Sequence, residues 1–163
     1  MTTGAPYSAG PGTDWAAVLA LIQREFAYMQ GRIDPPSSMH TLTAATIAEQ
    51  AATGEVWLIG AEPLACVFLT PKPPFLYVGK LAVAGQARGR GLARRLVDVA
   101  VGRAQAMGLA GLQLQTRVEL VENHAAFAAM GFVQTAATAH AGYDRPTSLT
   151  MTRALTRDAP LRA

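Results

Sequence analysis

The stretch "LAVAGQARGRGLARRLVDVA", residues 81–100, decides the fold. It opens apolar and then alternates Gly85, Gly89 and Gly91 with Arg88, Arg90 and Arg94. At 100° per residue from Arg90 to Met107, one side carries Arg90, Arg94, Arg95, Asp98 and Gln105. The other carries Leu92, Leu96, Val99, Ala100 and Met107, which predicts an amphipathic helix stopped by Gly108. Before the loop, "FLYVGKLAVA" predicts a long strand whose Gly79 marks a bulge or a close approach to the backbone. After the helix, "GLQLQTRV" alternates as a strand. Two strands joined through one helix are expected to lie parallel and adjacent.

Working outward, "DWAAVLALIQREFAYMQ" spaces Trp15, Val18, Leu19, Ile22, Phe26 and Met29 as a helix capped by Thr13 or Asp14. "RIDPPSSMH" reads as an ordered loop, and "TLTAATIAEQAATG" as a weaker helix closed by Gly54. "EVWLIGAE" and "LACVFLT" predict a hairpin around Glu62-Pro63, followed by a rigid "PKPPF" turn. "ENHAAFAAM" predicts a short helix capped by Glu122 or Asn123, and "FVQTAATAHA" and "TSLTMTRAL" a terminal hairpin turning at "GYDRP". The order implies an α/β fold whose mixed, partly antiparallel sheet of about six to seven strands is flanked by helices.

The 163 residues fit a single domain spanning 1–163, with 1–12 expected to be a flexible tail. Half the residues are hydrophobic and 15% are charged, which excludes a disordered chain, and no apolar run reaches the length of a membrane span. The start lacks a secretory pattern, and the lone Cys66 excludes an intrachain disulfide, so the cytoplasm is the expected compartment. Cys66, in "LACVFL", reads as a buried inert thiol. Between Gln86 and Arg103 stand five arginines and one aspartate, a local excess larger than the net +3 of the whole chain. That asymmetry points to a local anionic partner. Aromatic residues do not interleave with the arginines, so nucleic acid is not the expected partner.

A helix N-terminus offers unpaired N–H groups and about half a positive charge to a phosphate. Gly89 and Gly91 put no side chain in the way. Alone, the pattern equally describes a glycine turn with arginines on a solvated face. A nucleotide P-loop would end Gly-Lys-Ser/Thr, whereas Gly91 precedes Leu92-Ala93; a dinucleotide fingerprint would need a third glycine where Arg94 stands.

Gln86-Ala87-Arg88-Gly89-Arg90-Gly91 resembles the Q/R-x-x-G-x-G/A signature of the GCN5-related N-acetyltransferases, and it follows a strand as it does in that family. "ENHAAFAAMGF" is similar to the family's second motif, an asparagine, an aromatic four residues on, then Gly-Phe. The resemblance implies an acetyl-CoA-dependent N-acetyltransferase that acts on a primary amine of a small molecule or peptide by direct attack in a ternary complex. It implies that the backbone of Leu81, Ala82 and Val83 holds the pantetheine arm and polarises the thioester carbonyl. Gln86, Arg88, Gly89, Arg90, Gly91, Leu92 and Ala93 would surround the pyrophosphate. Asn123 would contact the pantetheine or a bound water, and Phe127 would lie beside the sulfur.

Many members of the family carry a proton-donating tyrosine at that aromatic position; Phe127 cannot donate a proton, which leaves the general acid unassigned among spare tyrosines such as Tyr28, Tyr77 and Tyr143. Phe127 is also compatible with a non-catalytic acyl-CoA-binding module of the same fold. Glu119 and Asn123 are the candidate catalytic residues. Glu119 and Glu122 read either as base or amine anchor, or as an exposed carboxylate and a helix cap. Asp34, Ser37 and Tyr143 are the candidate acceptor-binding residues, with Ser38 and Arg145 near them in sequence. His40, His124 and His140 have no metal-like spacing, so no metal is expected. No membrane partner is expected, and a homodimer is left open.

Overall fold

A computed structural model describes residues 4–155, except the side chains of Ser38 and His40. Residues 1–3 and 156–163 of the expected 1–163 domain lie outside the described residues. The described residues form seven strands, β1 (Tyr7–Ser8), β2 (Glu55–Ile59), β3 (Ala65–Lys72), β4 (Phe75–Val83), β5 (Gly111–Arg117), β6 (Val133–Thr138) and β7 (Ser148–Ala154). Four helices accompany them, α1 (Trp15–Phe26), α2 (Ala44–Thr53), α3 (Leu92–Ala106) and α4 (Val121–Ala129). One sheet runs in the order β1-β2-β3-β4-β5-β7-β6. Among the described residues only β4 and β5 pair in parallel, as the crossover through α3 requires; the other pairs are antiparallel.

Local chemistry sets the helix limits. Asp14 accepts the Ala17 N–H and starts α1, and Thr43 with Thr46 forms a capping box on α2. Gly91, at φ +74°, turns the chain into α3 in a conformation that costs glycine little. α4 begins at Val121 after Leu120, without a side-chain cap, so the expected cap at Glu122 or Asn123 is corrected to an uncapped start. Glu122 instead sits in the first turn, where its charge suits the helix dipole.

The core lies where the helices cover β3, β4 and β5. Five consecutive residues of β3, Ala65 to Leu69, are buried, which requires cover on both faces of that strand. α3 buries Leu92, Leu96, Val97, Ala100 and Ala104; Val99 and Met107, expected in this stripe, are half-buried. Cys66 is buried, and loss of hydration pushes its thiol up to about 12, in keeping with an inert side chain. No helix among the described residues is long and apolar enough to cross a membrane.

β1 falls inside the stretch read as a tail and pairs with Trp57 and Leu58 of β2. β7, not β6, lies beside β5; β7 buries Ser148, Thr150, Met151 and Thr152, while every residue of β6 on the sheet edge is exposed. Arg103 clasps the Glu55 carboxylate at 2.8 Å, fastening α3 to the start of β2 and holding that carboxyl below its usual range.

Two glycines give opposite predictions. A Cβ on Gly111 would stand 2.4 Å from the Arg153 carbonyl oxygen, so Gly111→Ala forces β5 from β7 and is expected to cost about 1–3 kcal/mol. Gly102, inside α3, has open space around it, so Gly102→Ala is expected to add about 0.5–1 kcal/mol. Urea unfolding midpoints that move in opposite directions would bear out both.

Candidate active site

β4 and β5 pair only from Phe75–Gly111 to Tyr77–Gln113. Beyond that point β5 keeps its antiparallel register with β7, through Arg117–Ser148, while β4 turns away along β3. The divergence is built into β4 by a bulge. Cys66 pairs with Ala82 and Phe68 with Gly79, so Lys80 and Leu81 together oppose Val67. Lys80 holds a left-handed φ of +49°. The Cys66 thiol donates to the Lys80 carbonyl at 3.3 Å, and Lys80 Nζ donates to Gln50 Oε1 at 2.7 Å. The bulge expected near Gly79 thus falls on the next two residues.

The divergence opens a cleft of about 370 Å³. Tyr77, Lys80 and Leu81 line its β4 side, and Leu114 to Arg117 line its β5 side. Asn123 and Phe127 enter from α4, Phe26 and Met29 from the end of α1, and Ser37, His140 and Ser148 from the surrounding loops and β7. Phe127 meets Phe132 edge-on, ring centres 6.0 Å apart, which anchors it to the core. Asn123 Nδ2 donates to the Tyr28 hydroxyl at 3.0 Å. A second, mostly apolar cavity of about 500 Å³, lined by Ala27, Ile33 and Met39, adjoins the cleft and shares Phe26, Met29 and Ser37 with it.

At the far end of β4 a short turn, Gly85–Ala87, leads into the glycine-arginine loop. Gly89 and Gly91 adopt φ +80° and +74°, and a Cβ at either would meet no atom within 4 Å, so the backbone there is open to a ligand. Among the described residues the amides from Gly89 to Arg94 have no acceptor; the first bonded one is Arg95, to Gly91 O at 3.0 Å. This is a fitting cradle for a diphosphate. Leu92 and Ala93 belong to it through their amides, since the Leu92 side chain is buried in the core.

Arg88 does not stand free. Its guanidinium meets Glu25 Oε1 at 2.9 Å, and the other oxygen of Glu25 accepts the Gly85 N–H at 3.1 Å. Burial draws the Glu25 carboxyl up, but Arg24, Gly85 and Arg88 outweigh it and hold it below its ordinary value. Glu25 therefore braces the loop, a role nothing in the local sequence signals. Gln86 and Arg90 are exposed, and Arg90 leans back toward the Gln86 carbonyl. Ala82 is buried and Val83 half-buried on β4, with Leu81 reaching the cleft.

The acceptor-side candidates are divided. Ser37 lines the cleft, though its hydroxyl accepts the Met39 N–H. Asp34 and Tyr143 come together outside it: the Tyr143 hydroxyl donates to Asp34 Oδ1 at 2.6 Å, and Arg145 donates to Oδ2 at 3.1 Å. Glu119 Oε2 accepts the Asp34 N–H at 3.1 Å, so this carboxylate fastens the loop after α1 and is not among the cleft's lining residues. Glu122 faces Arg32, whose Nη2 donates to Oε1 at 2.9 Å, and this bonding draws the carboxyl down to about 2. Any stability from that lowered carboxyl is present above the ordinary carboxylate range and is lost as pH falls toward 2. Arg117 donates to the Pro35 carbonyl. His124 Nε2 lies 2.9 Å from the Arg117 carbonyl, away from free chemistry. Among the described residues no three His, Cys, Asp or Glu side chains gather as a metal site.

A family model described as "Acetyltransferase (GNAT) family" matches residues 15–132. Solved structures agree with the fold. The chain is similar to the ribosomal-protein-S18-alanine N-acetyltransferase from Escherichia coli, at 16% identity over 94% of each chain and a TM-score of 0.70. It is similar to a GNAT-family acetyltransferase from Staphylococcus aureus Mu50, at 12% identity, 95% and 100% coverage and a TM-score of 0.73. A GNAT-family acetyltransferase from Elizabethkingia anophelis with acetyl-CoA bound matches at 16% identity, 93% and 97% coverage and a TM-score of 0.64. No curated protein sequence matches the chain. The family model covers well over half of the sequence, and its span runs from the start of α1 through the splayed strands and the glycine-arginine loop to Phe132: the chain belongs to the GNAT acetyltransferase family.

Proposed function

We propose that this protein transfers an acetyl group from acetyl-CoA to a primary amine by direct attack within a ternary complex. One observation carries the reading: the unpaired edge of β4 leads from the cleft straight to the unbonded amides between Gly89 and Arg94. An extended pantetheine arm can add to such an edge as a strand, while its diphosphate takes the helix N-terminus. An N–H at the bulge near Leu81 would receive the thioester oxygen as charge develops on it. A homologous fold crystallised with acetyl-CoA supports the same ligand.

The acceptor enters from the side of Phe26, Met29 and Ser37, where the adjoining cavity is mainly apolar. The reading therefore favours an amine that carries an apolar substituent. The departing thiolate needs no dedicated acid, because a thiol with a pKa near ~8.5 is a tolerable leaving group. Phe127 in place of tyrosine favours a second reading, a non-catalytic acyl-CoA binder.

Two measurements separate these readings. With CoA at about 100 times its Kd, stability is expected to rise by about 2.7 kcal/mol, a melting shift of roughly 5–10 °C that inorganic phosphate does not reproduce. Gly89→Glu is expected to abolish the shift, and an unchanged shift would refute the diphosphate site. Thiol release from acetyl-CoA over a panel of apolar primary amines is expected in the unaltered protein, and CoA binding with no release on any amine would leave only the binder. Phe127→Tyr is expected to change kcat by less than about threefold, since the leaving group is already competent.

A further inference from the structure

Resting on that reading, we infer that His140 is the catalytic base that takes a proton from the acceptor ammonium. Attack on a thioester requires a neutral amine, so one proton must leave before the N–C bond forms. The acidic side chains nearest in sequence to the site are bonded within its walls. Glu119 accepts the Asp34 N–H at Oε2, while its Oε1 is buried without a partner among the described residues; Glu122 is held by Arg32, Asp34 by Tyr143 and Arg145, and Glu25 by Arg88 and Gly85. None of these carboxylates lines the cleft.

Four described side chains that can ionise do line it: Tyr77, Lys80, Arg117 and His140. Arg117 is permanently charged. Burial lowers the Lys80 ammonium below its usual range, but its Nζ is committed to Gln50 Oε1 at 2.7 Å and to the Phe68 face, and burial pushes the Tyr77 phenol up, so it keeps its proton. His140 is the one whose ring carries a nitrogen with a free lone pair in its neutral form.

Its surroundings orient it for that role. Beyond the Thr138–Ser148 pair that ends the β6–β7 ladder, the His140 N–H donates to Thr147 Oγ1 at 2.9 Å. The ring's Nδ1 hydrogen-bonds the same hydroxyl. Thr147 is fully buried, and its hydroxyl is 3.4 Å from the Thr138 carbonyl, an acceptor for its own proton. With that proton turned to Thr138, Nδ1–H donates to Oγ1 and Nε2 carries the lone pair. Nε2, across the ring, has no partner among the described residues. A buried group thus orients an imidazole at the cleft, the logic by which a third residue positions a base.

The protons balance. Of the three on the ammonium, one passes to Nε2 and on to solvent. One stays on the amide, and one ends on the sulfur as the C–S bond breaks. The test uses one pH and two amines: 2-phenylethylamine, protonated at neutrality, and aniline, which is not. In His140→Gln, kcat on 2-phenylethylamine is expected to fall by about 100-fold, with the CoA melting shift kept and kcat on aniline within about threefold of the unaltered protein. Added imidazole is expected to restore part of the loss in His140→Gly.

Equal rates for His140→Gln and the unaltered protein on 2-phenylethylamine would overturn the assignment alone. So would an equal loss on both amines, which indicates a structural role. If the unaltered protein binds CoA but releases no thiol with any amine of the panel, the transferase reading fails and the base fails with it.

Discussion

The site depends on one departure from regular sheet geometry, the parting of β4 from β5 after Tyr77 and Gln113. A continuous parallel ladder would have sealed every backbone group between these strands. Instead the extra residue at Lys80–Leu81 bends β4 toward β3, and β5 remains tied to β7 along its length. A non-glycine residue in the left-handed region costs about 1–3 kcal/mol, and it persists only where the neighbourhood over-determines it. Here the Cys66 thiol takes the Lys80 carbonyl, Gln50 takes the ammonium, and the Phe68 ring lies 5.3 Å below that ammonium. The buried cysteine thus serves geometry, not nucleophilic chemistry, in line with its raised thiol pKa.

Around this opening, charges hold the walls to one another. Arg32 with Glu122, Asp34 with Tyr143 and Arg145, Glu119 with the Asp34 amide, and Arg117 with the Pro35 carbonyl all join the loop after α1 to the β5–α4 corner or the β6–β7 hairpin. Single exposed pairs of this kind contribute little to stability, with a typical range of about 0–1 kcal/mol. Their combined effect is positional, since these five contacts converge on residues 32–35 and fix that rim of the cleft. Glu25 does the same for the glycine-arginine loop by bonding both Gly85 and Arg88.

Much of this was legible because it is local. The crossover of β4, α3 and β5 follows from periodicity and glycine placement, and Gly89, Gly91, Asn123 and Phe127 sit in two short motifs readable from their spacing. What escaped is what depends on distant partners. β7 displaces β6 from the centre because its side chains find buried neighbours across β5, a fact no hairpin signal contains. The carboxylates near "RVELVEN" resemble bases until the loop after α1 folds over them. His140 looks like a stray surface histidine because Thr147, which orients it, lies across a turn with no motif of its own.

The pairing of those carboxylates also bears on how an amine would be made reactive. The cleft combines Phe26, Met29, Leu114, Leu120 and Phe127 with the cations Lys80 and Arg117, and no carboxylate among the described residues lines it, so it offers an ammonium no counter-ion. Like charge would disfavour a protonated amine there and lower its pKa on entry. A carboxylate in the cleft would reverse this by stabilising the ammonium and resisting its deprotonation. Keeping Glu119 and Glu122 in the wall contacts therefore leaves a weaker task for the base, one suited to a neutral imidazole that gains charge only as the proton arrives. On the proposed reading, the same absence of a counter-ion would select against acceptors with a second positive charge, because that charge would stand unpaired near Lys80 and Arg117.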